Sequence, residues 1–109
     1  MSNLSVLEKH KFEELFGMDT GYVLDFSNRT FAEFVLDSTG IDIFDSRYNY
    51  QRGSKANRLR FFWQEEDNAL VGKLMSDLLD YYNGTGTLEG ECRLIVARLL
   101  RDCPVPSRR

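Results

Sequence analysis

DNALVGKLMSDLLDYYNGTGTLEGECRLIVARLLRDC, residues 67–103, sets the architecture of this chain. Leu70, Val71, Leu74, Met75, Leu78, Leu79 and Tyr82 recur at i, i+1, i+4, i+5, the stripe of an amphipathic helix. Asp67 is placed to cap it, and Glu65, Glu66 and Asp67 suit the positive end of its dipole. Asn83-Gly84-Thr85-Gly86 reads as a turn. Leu88, Cys92, Ile95, Val96, Leu99 and Leu100 then form the apolar face of a second amphipathic helix. Cys103 continues that stripe, and Pro104 and Pro106, which lack the amide proton a helix needs, end it. So short a link forces the two helices antiparallel, so the C-terminal third is expected to be a helical hairpin.

Upstream, three further helices are expected to cover the hairpin. Ser54 can cap one that carries Ala56, Leu59, Phe62 and Trp63 on one side. Before it, Thr30-Phe31-Ala32-Glu33 reads as a capping box, with Ser27 an alternative cap one turn earlier; Phe31, Phe34 and Val35 form its face and Gly40 closes it. The first helix opens at the capping box Ser5-Val6-Leu7-Glu8, presents Leu4, Leu7, Phe12, Leu15 and Phe16 at helical spacing, and stops at Gly17. Residues 21–26, with Tyr22-Val23-Leu24, fit either a short strand or an extended buried connector. Residues 41–53 have no sustained period and form the longest loop, the kind of segment that often carries function. The fold class is therefore mainly α, a compact bundle of about five helices. One domain is expected over residues 1–103, with 104–109 as a tail or the start of a linker.

Composition agrees. The 109 residues are 42% hydrophobic, 28% charged and 13% aromatic, a globular mixture too short for two comfortable cores. The net charge is −3 and the pI near 5.1, which argues against a nonspecific nucleic-acid coat while leaving room for a local basic patch. No apolar run approaches a membrane span, and residues 1–7 do not have the basic-then-apolar order of a secretion signal. The two cysteines are expected to be reduced thiols in a cytoplasmic protein.

Catalytic constellations are hard to assemble from these residues. His10 is the one histidine, lies between Lys9 and Lys11 on the expected solvent side of the first helix, and has no Ser or Cys arranged beside it. Cys92 and Cys103 fall on one apolar stripe, where cysteine packs as a small hydrophobe, and do not supply a zinc set. No phosphate-binding glycine loop is present. Asp19, Asp25, Asp42 and Asp45 could gather round Mg²⁺ as in metal-dependent hydrolases, but aspartate is also the commonest turn and cap residue. No enzyme, metal or cofactor is expected.

The strongest candidate site is residues 48–60, YNYQRGSKANRLR, where Tyr48, Tyr50, Arg52, Ser54, Lys55, Asn57, Arg58 and Arg60 surround a glycine turn and a helix start. Free amides, the helix dipole and arginine forks suit an anion, and tyrosine can stack on a base. Arg58 and Arg60 flank the Leu59–Phe62–Trp63 arc on opposite sides, so a straight helix cannot aim both at one phosphate. The structural alternative pairs both arginines with the abundant carboxylates and sets the tyrosines at the core edge. Phe61 lies opposite the arc, which makes this helix either buried on two sides or a presenter of an aromatic ring.

Three blocks, FGMDTGYVLDFSNRTF at 16–31, GIDI at 40–43 and GSKANRLR at 53–60, resemble the N-terminal helical domain of AbiJ-like abortive-infection proteins. The resemblance spans about residues 15–63; the last two helices match in pattern only. It implies a bacterial phage-defence role in which this domain senses or relays a signal to a downstream effector, often a HEPN-type ribonuclease. The Arg-x4-6-His motif of that nuclease is absent from these residues, and the resemblance brings no site residues with it. The expected function is therefore a non-catalytic sensor or regulatory module that binds a downstream effector domain, a partner protein or an anionic ligand, with no membrane role. The alternative is a nucleic-acid-binding module using the basic 52–60 segment.

Overall fold

The computed structural model describes residues 2–45 and 54–101. Within them lie α1 (Val6–Phe16), a single 3₁₀ turn (Met18–Thr20), α2 (Asn28–Thr39), α3 (Lys55–Glu65), α4 (Asn68–Tyr82) and α5 (Thr87–Arg101), with no strand among the described residues. The expected five-helix, mainly α architecture is what forms. The expectations at Tyr48, Tyr50, Arg52, Cys103 and 104–109 lie outside the described residues.

Helix starts follow local chemistry. Ser5 and Glu8 exchange both bonds of a capping box, Ser54 accepts from the Asn57 amide, and Asp67 accepts from the Leu70 amide. The expected box beginning at Thr30 is corrected. Ser27 is the cap, its hydroxyl accepting from the Thr30 amide while the Thr30 hydroxyl accepts from the Ser27 amide, so α2 begins a turn earlier. Gly17 and Gly40 close α1 and α2 in the left-handed conformation, as their positions foretold.

The hairpin of α4 and α5 is the largest helix–helix contact, with α1 packed on α5 and α2 on α4. α4 and α5 come close together at Gly72, where a β-carbon would come within 2.7 Å of Leu100 Cδ2. α3 sends Ala56, Leu59, Phe62 and Trp63 into the centre, all without solvent contact. Trp63 stacks obliquely on Phe12 at 6.1 Å, and its indole N–H donates to Met75 Sδ at 3.3 Å. Phe61, on the far side, is half-buried against the same core. Leu7 departs from the expected face: it is 67% exposed, while Leu4, Phe12 and Phe16 are buried.

The first residues strap the bundle together. The Ser2 hydroxyl donates to the Trp63 carbonyl, the Asn3 amide donates to Asn68 Oδ1 at 3.0 Å, and Asn3 Oδ1 accepts from Arg98 at 2.9 Å. Arg98 also grips Glu8 at 2.7 Å, tying α5 to α1. Burial would raise the Glu8 carboxyl, but the Ser5 amide and the Arg98 guanidinium outweigh it and hold the group below its ordinary value.

Residues 21–26 resolve to the connector rather than the strand. Val23 is buried, the Leu24 amide donates back to the Phe16 carbonyl at 2.9 Å, and Leu24 itself takes a positive φ of 51°. Gly21 is at φ 88°, and its carbonyl accepts from the Ala56 amide at 3.1 Å, which docks the connector on the start of α3.

Candidate functional site

Where it is described, the basic segment is engaged by the protein's own groups. Lys55 is 8% exposed; its ammonium donates to Asn28 Oδ1 at 3.1 Å and sits 4.5 Å above the Tyr22 ring. Arg58 donates to the Ile43 carbonyl at 3.0 Å and lies 4.5 Å over Phe44. Arg60 pairs with Glu13 at 2.7 Å, donates to Asn57 Oδ1 at 2.8 Å and reaches the Met18 carbonyl at 3.4 Å. Ser54 is the α3 cap. So Arg58 and Arg60 do diverge, as helical geometry requires. Arg60 finds the expected carboxylate, and Arg58 binds backbone carbonyls and a ring. Of the eight candidates, Lys55 and Arg58 tie α3 to the connector, the start of α2 and residues 43–45, and Arg60 ties it to α1 and the 3₁₀ turn. Ser54 and Asn57 act within α3, as its cap and as the acceptor for Arg60.

The aspartates do not converge either. Asp42 closes a local turn by accepting from the Phe44 amide at 3.0 Å, and Asp25 accepts from the Tyr81 hydroxyl at 2.8 Å. Among the described residues no group of three or more His, Cys, Asp or Glu is disposed to hold a metal ion. Asp19 shares a shallow pocket with His10, Glu13, Glu14 and Arg60. Cys92 is buried on α5, where loss of solvation pushes its thiol up to about 11.

A different surface brings chemistry together. Between α2 and α4 runs a groove of about 440 Å³ lined by Phe34, Asp37, Ser38, Asp77, Asp80 and Tyr81. Beside it, Leu24, Asp25, Tyr81 and Tyr82 line a second hollow, so Tyr81 is the ridge shared by both. Helical spacing produces the arrangement: Phe34, Asp37 and Ser38 sit at i, i+3, i+4 on α2, and Asp77, Asp80 and Tyr81 do the same on α4. The two stripes meet because α2 packs on α4, with the Ser38 hydroxyl donating to Asp77 at 2.6 Å across the seam.

Tyr81 is held firmly. Its ring stacks on Phe26 at 4.6 Å and meets the edge of Phe34 at 5.7 Å, and its hydroxyl is tied to Asp25. The bond to that carboxylate, with some burial, pushes the phenol above its usual range. Yet the residue is 48% exposed, so part of the ring meets solvent. Around it, Asp77 takes Lys73 at 2.7 Å, and Asp80 takes Arg93 at 3.2 Å, a cation also paired with Glu89. Asp37 is exposed, and its side chain pairs with no other described residue. The arrangement can bind and orient a ligand that matches carboxylates and an aromatic face. The sequence reading missed this groove entirely, although each half is an acidic–aromatic stripe at i, i+3, i+4.

No helix among the described residues is long and apolar enough to cross a membrane. The chain matches no protein-family model, no curated protein and no solved structure.

Proposed function

We infer that this chain is a non-catalytic recognition module that works by binding a partner. The setting we propose is the one implied by its resemblance to AbiJ-like proteins: sensing or relay within a bacterial anti-phage system. The observation that carries the binding reading is the groove between α2 and α4, where a rigid half-exposed tyrosine is flanked by carboxylates. Rigid aromatic side chains lose little entropy on binding and commonly anchor interfaces. The engagement of Lys55 by Asn28 and of Arg60 by Glu13 supports this reading over the nucleic-acid alternative, because phosphate contacts would have to displace these partners.

Site-specific photo-cross-linking tests it, with a benzophenone side chain in place of Tyr82, which is 39% exposed beside the groove. In the native cell, mass spectrometry should identify one discrete adduct whose yield changes on phage infection. An adduct no stronger than that from a control position at Glu33 would refute the reading. So would substrate turnover by the purified chain that disappears in His10→Ala.

A further inference from the structure

The fold treats two of its accessible rings in one way and Tyr81 in another. The Lys55 ammonium covers Tyr22 at 4.5 Å, and the Arg58 guanidinium covers Phe44 at the same distance. Tyr81 receives no cation from the described residues, although it sits among four aspartates, Asp25, Asp37, Asp77 and Asp80. Among the described residues only Lys73 and Arg93 answer them, and Arg93 is shared with Glu89.

From this we propose that the groove between α2 and α4 is the docking site for an arginine-bearing segment of a partner protein, whose guanidinium packs on the exposed part of the Tyr81 ring. The proposal rests on the binding reading above and names the chemistry of the occupant. Three physical features favour arginine. A guanidinium is planar and weakly hydrated, so it lies flat on a tyrosine face, and its fork can meet a carboxylate bidentately while stacked. Tyr81 is fixed from behind by Phe26 and at its hydroxyl by Asp25, so docking does not have to order it. Asp37 is the carboxylate without a partner among the described residues, and so gives up none when the guanidinium arrives. The second hollow, on the other flank of Tyr81 against Leu24 and Tyr82, extends the path for the chain that carries the arginine. An extended peptide crossing the Tyr81 ridge would touch both hollows.

The test titrates a fluorescein-labelled alternating Gly-Arg peptide into the full chain, with a Gly-Glu peptide and a labelled oligouridine as comparisons. Anisotropy should saturate with the arginine peptide alone and weaken as salt is raised, because exposed charges are screened. Backbone-amide NMR should place the shifts at Phe34, Asp37 and Tyr81. Asp37→Lys, at an exposed position, should leave the circular dichroism spectrum unchanged and weaken binding about three- to tenfold, the scale of reversing a surface charge pair. Tyr81→Phe keeps the ring and should bind within about twofold of the parent, while Tyr81→Leu loses the stacking surface and binds more weakly. Equal binding of the Gly-Glu peptide or of oligouridine, shifts mapping elsewhere, or an affinity indifferent to Asp37→Lys would overturn the proposal. If the arginine peptide fails but the Tyr82 cross-link still captures its infection-dependent adduct, the recognition reading survives and the cationic occupant does not. Loss of both removes both.

Discussion

Gly72 offers a prediction whose sign depends on a single neighbour. In an isolated helix Gly72→Ala would add about 0.5–1 kcal/mol, since alanine removes glycine's excess backbone freedom. Here the new β-carbon would lie 2.7 Å from Leu100 Cδ2, 2.9 Å from its Cγ and 3.5 Å from Leu99 Cβ. Carbon atoms rest at about 3.5–4.0 Å, so the two Leu100 contacts must open while the Leu99 contact stands. Overpacking of this kind costs about 1–3 kcal/mol, and Leu100, being 45% exposed, can relieve part of it by rotating outward. The single substitution should therefore destabilise the domain by about 1 kcal/mol. In a Leu100→Ala background the obstruction is gone, and the same change should stabilise by up to about 1 kcal/mol. The double-mutant cycle then carries a coupling of about 2 kcal/mol. Urea unfolding followed by circular dichroism reads each step; 1 kcal/mol in a domain of this size moves the thermal midpoint by about 4–8 °C. A Gly72→Ala gain that is the same with and without Leu100 would show that α4 and α5 do not meet at this point, and the hairpin geometry would have to be redrawn.

Three other outcomes follow from the same structure. Gly21→Ala should destabilise by about 1–2 kcal/mol in thermal melts, because φ 88° is unfavourable for any residue with a β-carbon; an unchanged midpoint would contradict that backbone turn. Glu8 is held below its ordinary 4.5, so it contributes stability above that pH and loses the contribution as pH falls through its folded value; the gap between wild type and Glu8→Gln should close on acidification below about 4.5 and be constant from pH 6 to 8. In a Cys103→Ser variant, a thiol reagent at pH 8 should label Cys92 at least about 100-fold more slowly than it labels the unfolded chain, since burial lifts the thiol to about 11; labelling at the unfolded rate would place Cys92 at the surface.

What the sequence made legible was whatever a few neighbouring residues decide by themselves. Ser5, Ser54 and Asp67 cap their helices because a cap needs only a side chain and an amide three positions on. The same locality explains the error at Thr30: Ser27 and Thr30 both carry hydroxyls at capping distance, and the structure uses each, with Ser27 outermost. Leu7 matched a helical face but lies outside the arc that α5 covers, and Leu100 lies at the edge of its own. For the basic segment, the positions of Arg58 and Arg60 round the helix were readable. Their partners were not, since Glu13, Met18 and Ile43 are brought near only by the packing of α1, the 3₁₀ turn and residues 43–45. The acidic groove was hidden for the same reason. Phe34 and Tyr81 are far apart in the chain, and nothing in either stripe says that α2 lies on α4.

The N-terminal strap bears on how a ribosome would deliver this molecule. Ser2, Asn3 and Glu8 are made well before their partners Trp63, Asn68 and Arg98, which come as many as 95 positions later. α1 must therefore wait, unpaired with α5, until the helix that carries Arg98 has been made and has left the exit tunnel, and only then can this part of the bundle be locked. Contacts of such long separation close slowly, so α1 is secured late.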